Sequence, residues 1–405
     1  MATHPPFVPS AGRLPDGSAR RQRRSKRGEL TIWWREIDRV LLLLVLSLMA
    51  IGTAAVAAAS PASARRLSTA AKHLPDLYFF TQHLVWQAMG LATMFGASML
   101  SKDMARRLGI MLGFAMLVAL IMVPIVGSEV NGARRWLNLG VSLQPSEFLK
   151  PAFAIGLAWI LAWRVRDPNL PVTGLSCGLM LLVGALLMAQ PDFGSTILFA
   201  GVWFVLLLLS GLSVKRIAMA FGAGGIGLVA AYTFYANARH RIDSFIGGGT
   251  AFDQVDLAQR TILAGGWTGS GLWLGTRKLS LPEAHTDYIF SVIGEEFGLL
   301  VCAAIILVYL AIVARVLLRL VEEEDLFTVL AATGLTAQLG GQAFINILVN
   351  LQLFPSKGMT LPLISYGGSS TIALCLGVGF LLALTRRNPF LSRDPFSRRD
   401  AGGSK

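Results

Sequence analysis

The sequence predicts an all-α polytopic membrane protein of about ten transmembrane helices, with both termini on the cytoplasmic side. Three observations carry that expectation. Of the 405 residues, 54% are hydrophobic and the mean hydropathy is +0.60, above the roughly 45–50% apolar content of ordinary soluble domains. The apolar residues come in blocks of about 20 with few charges, the length that crosses a bilayer core. The basic residues gather at the two ends and in short connections between blocks, as the positive-inside rule expects.

The blocks place spans at roughly 40–60, 77–100, 108–126, 148–164, 174–189, 195–211, 217–236, 287–314, 326–350 and 368–385. An N-terminus inside puts 24 of the 36 Lys and Arg residues in inner segments. Lys102–Arg107, Arg164–Arg166 and Lys215–Arg216 are such inner connections. Residues 1–38 read as a disordered basic cytoplasmic tail, 39–388 as one membrane domain and 389–405 as a cytoplasmic C-terminal tail. About 38 polar residues precede the first apolar block, so no cleavable signal is expected there. The formal charge of +13 does not point to nucleic acid, because neither basic tail interleaves aromatics for base stacking. It suits a topology determinant beside anionic lipid. Cys177, Cys302 and Cys375 all fall in apolar blocks and offer neither a metal spacing nor a disulfide framework.

The outer segments carry the unusual residues. The largest, about 237–286 between spans seven and eight, is glycine-rich, with Gly247, Gly248, Gly249, Gly265, Gly266, Gly269, Gly271 and Gly275. In 351–367, Pro355 and Pro362 preclude a continuous helix and predict a re-entrant segment. If the eighth span is helical from Pro282, then Glu283, Asp287, Ser291 and Glu295 lie four apart on one face, with His285 beside them. Ionisable groups at membrane depth are expensive and usually functional. A partly desolvated carboxylate there, Asp287 above all, has the properties of a general base. Glu295 and Glu296 suit helix caps or ion pairs equally well.

Arg134, Arg135 and Trp136 precede the fourth span, and Glu147 and Lys150 open it three apart. Arginines and a lysine at the outer interface suit an anionic headgroup, although Lys150 can equally pair with Glu147. Asp192 in QPDFGST suits a turn or helix N-cap. SYGGSS, with Ser369, opens the tenth span with free amides that can hold phosphate, and Lys357 lies upstream as a point charge. The sequence has no phosphate-binding GxxxxGK[ST] loop, no HExxH and no CxxC. Any reaction must therefore draw on an activated bond in the substrate itself.

Four ordered pieces, NGARRWLNLG with QPSEFLK at 131–150, QPDFGST at 190–196, LPEAHTDYIFSVIGEE at 281–296 and KGMTLPLISYGGSS at 357–370, resemble the SEDS family (shape, elongation, division and sporulation) across about 35–390. VIGEE and the last piece are more similar to the division (FtsW) members than to the elongation (RodA) members. The resemblance implies a peptidoglycan glycosyltransferase that polymerises lipid II at the outer face of a bacterial inner membrane, at the division septum. It puts the essential aspartate on Asp287, as general base or metal-assisted activator. Arg135, Lys150 and Lys357 are then candidates to neutralise pyrophosphate, and Trp136 to pack on lipid or sugar. Glu283, His285 and Ser369 complete the expected substrate site. Implied partners are lipid II and undecaprenyl-linked glycan, a class B penicillin-binding transpeptidase and other division proteins. A pyrophosphate leaving group admits a divalent cation, Mg or Mn, with no ligand cluster in the sequence to assign it. Two alternatives stand beside this reading, a lipid II flippase and an elongation-type polymerase.

Overall fold

The computed structural model describes residues 26–69, 73–130, 133–138, 140, 142–165, 167, 169–235, 239, 242–243, 247, 254–355 and 358–387. Its contacts divide the chain into two units, Asp38–Arg386 and a smaller one of 1–37 with 387–405. In the smaller unit, α1 (Lys26–Glu36) is helical, within the segment expected to be a disordered tail.

The larger unit is a bundle of long apolar helices. These are α2 (Arg39–Leu67), α3 (Tyr78–Ser98), α4 (Lys102–Val126), α5 (Pro145–Ala162), α6 (Val172–Ala189), α7 (Phe193–Leu209) and α8 (Val214–Phe234). After α8 come the short α9 (Gln254–Gly265), α10 (Ile289–Phe297), α11 (Leu299–Leu320), α12 (Leu326–Asn350) and α13 (Gly368–Leu384). Their starts follow local chemistry. Asp38, Ser101, Asp192 and Asp325 each accept a backbone N–H of the first turn of the following helix, satisfying donors that a helix leaves open.

Among the described residues, six helices are long and apolar enough to cross a membrane: Arg39–Leu67, Lys102–Val126, Pro145–Val165, Val172–Ala189, Lys215–Phe234 and Leu299–Leu320. The chain is thus a polytopic helical membrane protein. Phe193–Leu209 and Gly368–Leu384 are apolar but shorter. α12 has the length and carries Gln338, Gln342, Asn346 and Asn350, which lower its hydropathy. Those amides are buried, so the polar groups face protein rather than the surroundings.

Two features depart from the expected all-α pattern. Residues 128–143 hold a small antiparallel sheet of β1 (Ser128–Val130), β2 (Ala133–Asn138) and β3 (Ser142–Leu143), in that order. The eighth span is not one helix from Pro282. Residues 282–288 form turns, and Glu283 takes a φ of +49°, a conformation that a right-handed helix cannot continue. A second break follows at Gly298, with φ +86°. A Cβ there would overlap the carbonyl oxygen of Trp267, so glycine alone suits the position. The proposed single-face stripe is therefore corrected: Ser291 and Glu295 share the helix α10, while Glu283 and Asp287 sit on the preceding turns.

Glu295 and Glu296 instead organise the loop at 273–278. Glu295 accepts the backbone N–H groups of Arg277 at 2.6 Å and Lys278 at 2.9 Å. Glu296 pairs with the buried Lys278 ammonium and accepts the N–H of Trp273. Lys278 Nζ also donates to the Ala58 carbonyl at 3.0 Å, tying the loop to α2. The expected re-entrant segment is non-helical at 358–367, and Met359, Leu361, Leu363, Ile364 and Ser365 in it are buried.

Candidate active site

Three stretches converge on one polar knot: the turns 282–288, the non-helical 358–361 with its following turn, and one face of α12. The knot begins with backbone that no helix satisfies. Buried carbonyls need donors, and α12 supplies them. Asn346 Nδ2 donates to the Asp287 carbonyl at 2.8 Å and Asn350 Nδ2 to the same oxygen at 3.1 Å. Asn346 Nδ2 also reaches the Met359 carbonyl at 2.6 Å. Gln342 Nε2 donates to the Thr360 carbonyl at 3.0 Å. From the other side, Ser365 Oγ donates to the Thr286 carbonyl at 2.6 Å and accepts Leu361 N–H at 2.7 Å. The Tyr366 N–H donates to the His285 carbonyl at 2.9 Å.

Asp287 is thereby held through its backbone, and its side chain is half-buried. A Cβ on Gly358 would lie 3.3 Å from Asp287 Oδ2, so the bare glycine lets the chain pass close to the carboxylate. Glu283 is exposed and its Oε2 accepts Thr286 Oγ1–H at 2.8 Å. His285 is 6% exposed and packs its ring 4.2 Å from Phe79 and 5.3 Å from Tyr366, centroid to centroid. Burial pushes the His285 imidazole down to about 4, against the opposing pull of the Glu283 carboxylate. The ring is therefore neutral at pH 7, a hydrogen-bonding group and not a cation. Burial likewise raises the Tyr366 phenol, with its bond to Trp86 acting the other way.

Lys150 joins this knot from α5. Its Nζ lies 2.7 Å from Glu147 Oε1 and 3.2 Å from Gln342 Oε1, and the residue is 3% exposed. Ser369, second residue of α13, is buried with no partner for its Oγ among the described residues. Arg135 goes elsewhere. From β2 its guanidinium donates to the Gln190 carbonyl at 3.0 Å and to the Pro191 carbonyl, bracing the α6–α7 turn. Trp136, beside it on β2, is half-buried. Asp192 in the same turn caps α7 through Ser195 N–H at 3.1 Å. Lys357 lies outside the described residues. Among the described residues no group of three His, Cys, Asp or Glu side chains is placed to hold a metal, so the donor set does not form a closed cation site.

Three amides of α12 belong to the knot and were not among the residues expected there. Their signal was present: Gln342, Asn346 and Asn350 stand four apart in an otherwise apolar block, the spacing of one helix face.

Comparison with known proteins covers nearly the whole chain. Residues 38–389 match the family model of FtsW, RodA and SpoVE, described as cell cycle protein. The probable peptidoglycan glycosyltransferase FtsW of Caulobacter vibrioides is 35% identical over 372 residues, covering 90% of this chain and 93% of its own. That of Methylococcus capsulatus is 37% identical over 366 residues, covering 86% and 89%. Among solved structures, a chain of a peptidoglycan synthase complex, described as coordinating polymerization and crosslinking, superposes with a TM-score of 0.70. It is 29% identical over 86% of this chain and 97% of that one. The rod shape determining protein RodA of Thermus thermophilus gives a TM-score of 0.64 at 28% identity, covering 86% and 96%.

Proposed function

The chain belongs to the FtsW, RodA and SpoVE family of cell cycle proteins, and on that premise we propose that it is a peptidoglycan glycosyltransferase polymerising lipid II during septal wall synthesis. Relatives named FtsW support the division role over the elongation role. The bilayer arrangement that goes with this reading has ten spans, α2 to α8, the broken pair α10–α11, α12 and α13. Both ends lie in the cytoplasm, and the 282–288 turns lie at the outer face.

The observation that carries the chemistry is a half-buried carboxylate, Asp287, whose backbone carbonyl is fixed by two amides. Chain growth needs the 4-hydroxyl of the acceptor GlcNAc to attack C1 of the donor MurNAc. The C1–O bond breaks, and undecaprenyl pyrophosphate leaves with the bonding electrons. Asp287 takes the hydroxyl proton as the new glycosidic bond forms, a role worth about 10²–10⁴ in rate. Lys357, one residue before Gly358, is the cation assigned to the pyrophosphate. Lys150 is already engaged by Glu147 and Gln342 and supports the site from behind, whereas Arg135 is engaged by the α6–α7 turn. Neutral His285 and Glu283 border the acceptor side, and Ser369 with the first amides of α13 offers donors to phosphate oxygens. A divalent cation would have to draw most of its ligands from the substrate, and no step here runs through one.

The partner that fits is a class B penicillin-binding transpeptidase, in line with the synthase complex among the structural neighbours. The test is reconstitution of the purified pair with lipid II. Glycan strands from the wild type and none from Asp287→Ala support the reading. Transbilayer movement of lipid II without strands would favour the flippase instead.

A further inference from the structure

Three of the four amides of α12 do more than satisfy stray carbonyls. Gln342, Asn346 and Asn350 are 0%, 2% and 0% exposed, in a helix whose other buried residues are mostly apolar or small. A buried amide is tolerated only when its donors and acceptors are matched. Packing alone would be served by leucine or alanine at each position. Gln342 and Asn346 instead each bond two separate pieces of chain. Gln342 joins Lys150 to Thr360. Asn346 joins the Asp287 carbonyl to that of Met359 with a single Nδ2. Asn350 gives its Nδ2 to the Asp287 carbonyl. Its Oδ1 accepts Ser291 N–H at 3.2 Å and Ser291 Oγ–H at 2.6 Å. It also donates to the Asn346 carbonyl at 2.9 Å, so successive rungs brace one another.

We propose that Asn346 and Asn350 are positioning residues that set where the Asp287 carboxylate stands relative to the 358–361 segment, with Gln342 extending the ladder to Lys150. This deepens the glycosyltransferase reading and rests on it. Asp287 is on turns, not a helix; its neighbours Thr286 and Tyr288 both donate backbone N–H to the Glu283 carbonyl, while its own carbonyl is held from α12 by the two amides. The opposing chain passes close by across a narrow gap, and a Cβ on Gly358 would require the Asp287 carboxylate to give by a few tenths of an ångström. Asn346 holds both sides of that gap at once, so losing it lets the carboxylate and the 358–361 backbone drift apart. A misplacement of about 1 Å in a reacting group lowers rate on the order of 100-fold. Because the Asp287 carbonyl has two donors, either amide alone retains part of the alignment.

The test uses the full-length protein with its class B penicillin-binding partner, comparing wild type, Asn346→Ala, Asn350→Ala and the double variant. Lipid II polymerisation should show kcat down about tenfold in each single variant and on the order of 100-fold in the double. KM should stay within about twofold, since a positioning defect acts on the transition state. Hydrogen exchange should quicken at 285–288 and 358–361 while the rest of α12 and the thermal midpoint hold. An unchanged kcat, or a kcat that falls only in step with global loosening, overturns the proposal. Where alanine lowers the midpoint, Asn346→Ser and Asn350→Ser are judged on the same criteria. Wild type that makes no strands, or Asp287→Ala that makes them at full rate, sinks the glycosyltransferase reading instead. The local exchange data then decide the ladder by themselves.

Discussion

Lys150→Met removes one half of a buried ion pair with little change of shape, and the structure sets the size of the effect. The Lys150 and Glu147 side chains are 2% and 10% exposed and 2.7 Å apart. Glu147 Oε2 has no other partner among the described residues. Without the ammonium, the carboxylate is left buried and uncompensated, a situation that costs about 3–5 kcal/mol. Gln342 Oε1 loses its donor too, adding about 1 kcal/mol. Replacing both charges, as Glu147→Leu/Lys150→Met, removes the stranded carboxylate and should recover stability to within about 1–2 kcal/mol of wild type. Equilibrium unfolding in one detergent, run as a double-mutant cycle, reads the coupling directly. Lys150→Met at wild-type stability, or a double variant as unstable as the single, would refute the reasoning.

Two further outcomes follow from the same structure. The His285 imidazole, ordinarily at 6.5, is pushed down to about 4 by burial, so between those values the unfolded chain binds the extra proton. Its contribution is therefore intact above about pH 6.5 and is lost as pH falls toward 4, by about 2 kcal/mol at pH 5. His285→Phe should flatten that part of the stability–pH curve, and parallel curves for variant and wild type would count against it. Gly298→Ala meets both a φ of +86° and the Trp267 carbonyl. It should lower stability by about 2–3 kcal/mol, read by thermal unfolding; a neutral effect would mean that the α10–α11 break is adaptable.

The long helices were legible because the bilayer requirement writes itself as uninterrupted apolar blocks. The limits 326–350 match α12 at both ends, and 368–385 matches α13 to one residue. The break at Gly298 was not legible, since one glycine between Phe297 and Leu299 gives no sign that the backbone takes a positive φ there. The four-residue spacing of Glu283, Asp287, Ser291 and Glu295 suggested a helical face, but the positive φ at Glu283 depends on tertiary contacts that periodicity does not encode. The sheet at 128–143 was missed because strands of three, six and two residues are too short for an alternating pattern to stand out. Attention to charges drew the eye to Asp287 and Lys150. It passed over the uncharged amides that join them, although four-residue spacing in a buried span marked those as well.

The most direct measurement of the role given to Asp287 is single-turnover glycan synthesis by Asp287→Asn, paired with lipid II binding. Asparagine keeps the size of the side chain and the backbone carbonyl that Asn346 and Asn350 hold, while removing the proton acceptor. The predicted result is a rate lower by at least about 100-fold, with substrate affinity and thermal midpoint unchanged. Strand synthesis by Asp287→Asn at the wild-type rate would contradict a catalytic carboxylate at this position.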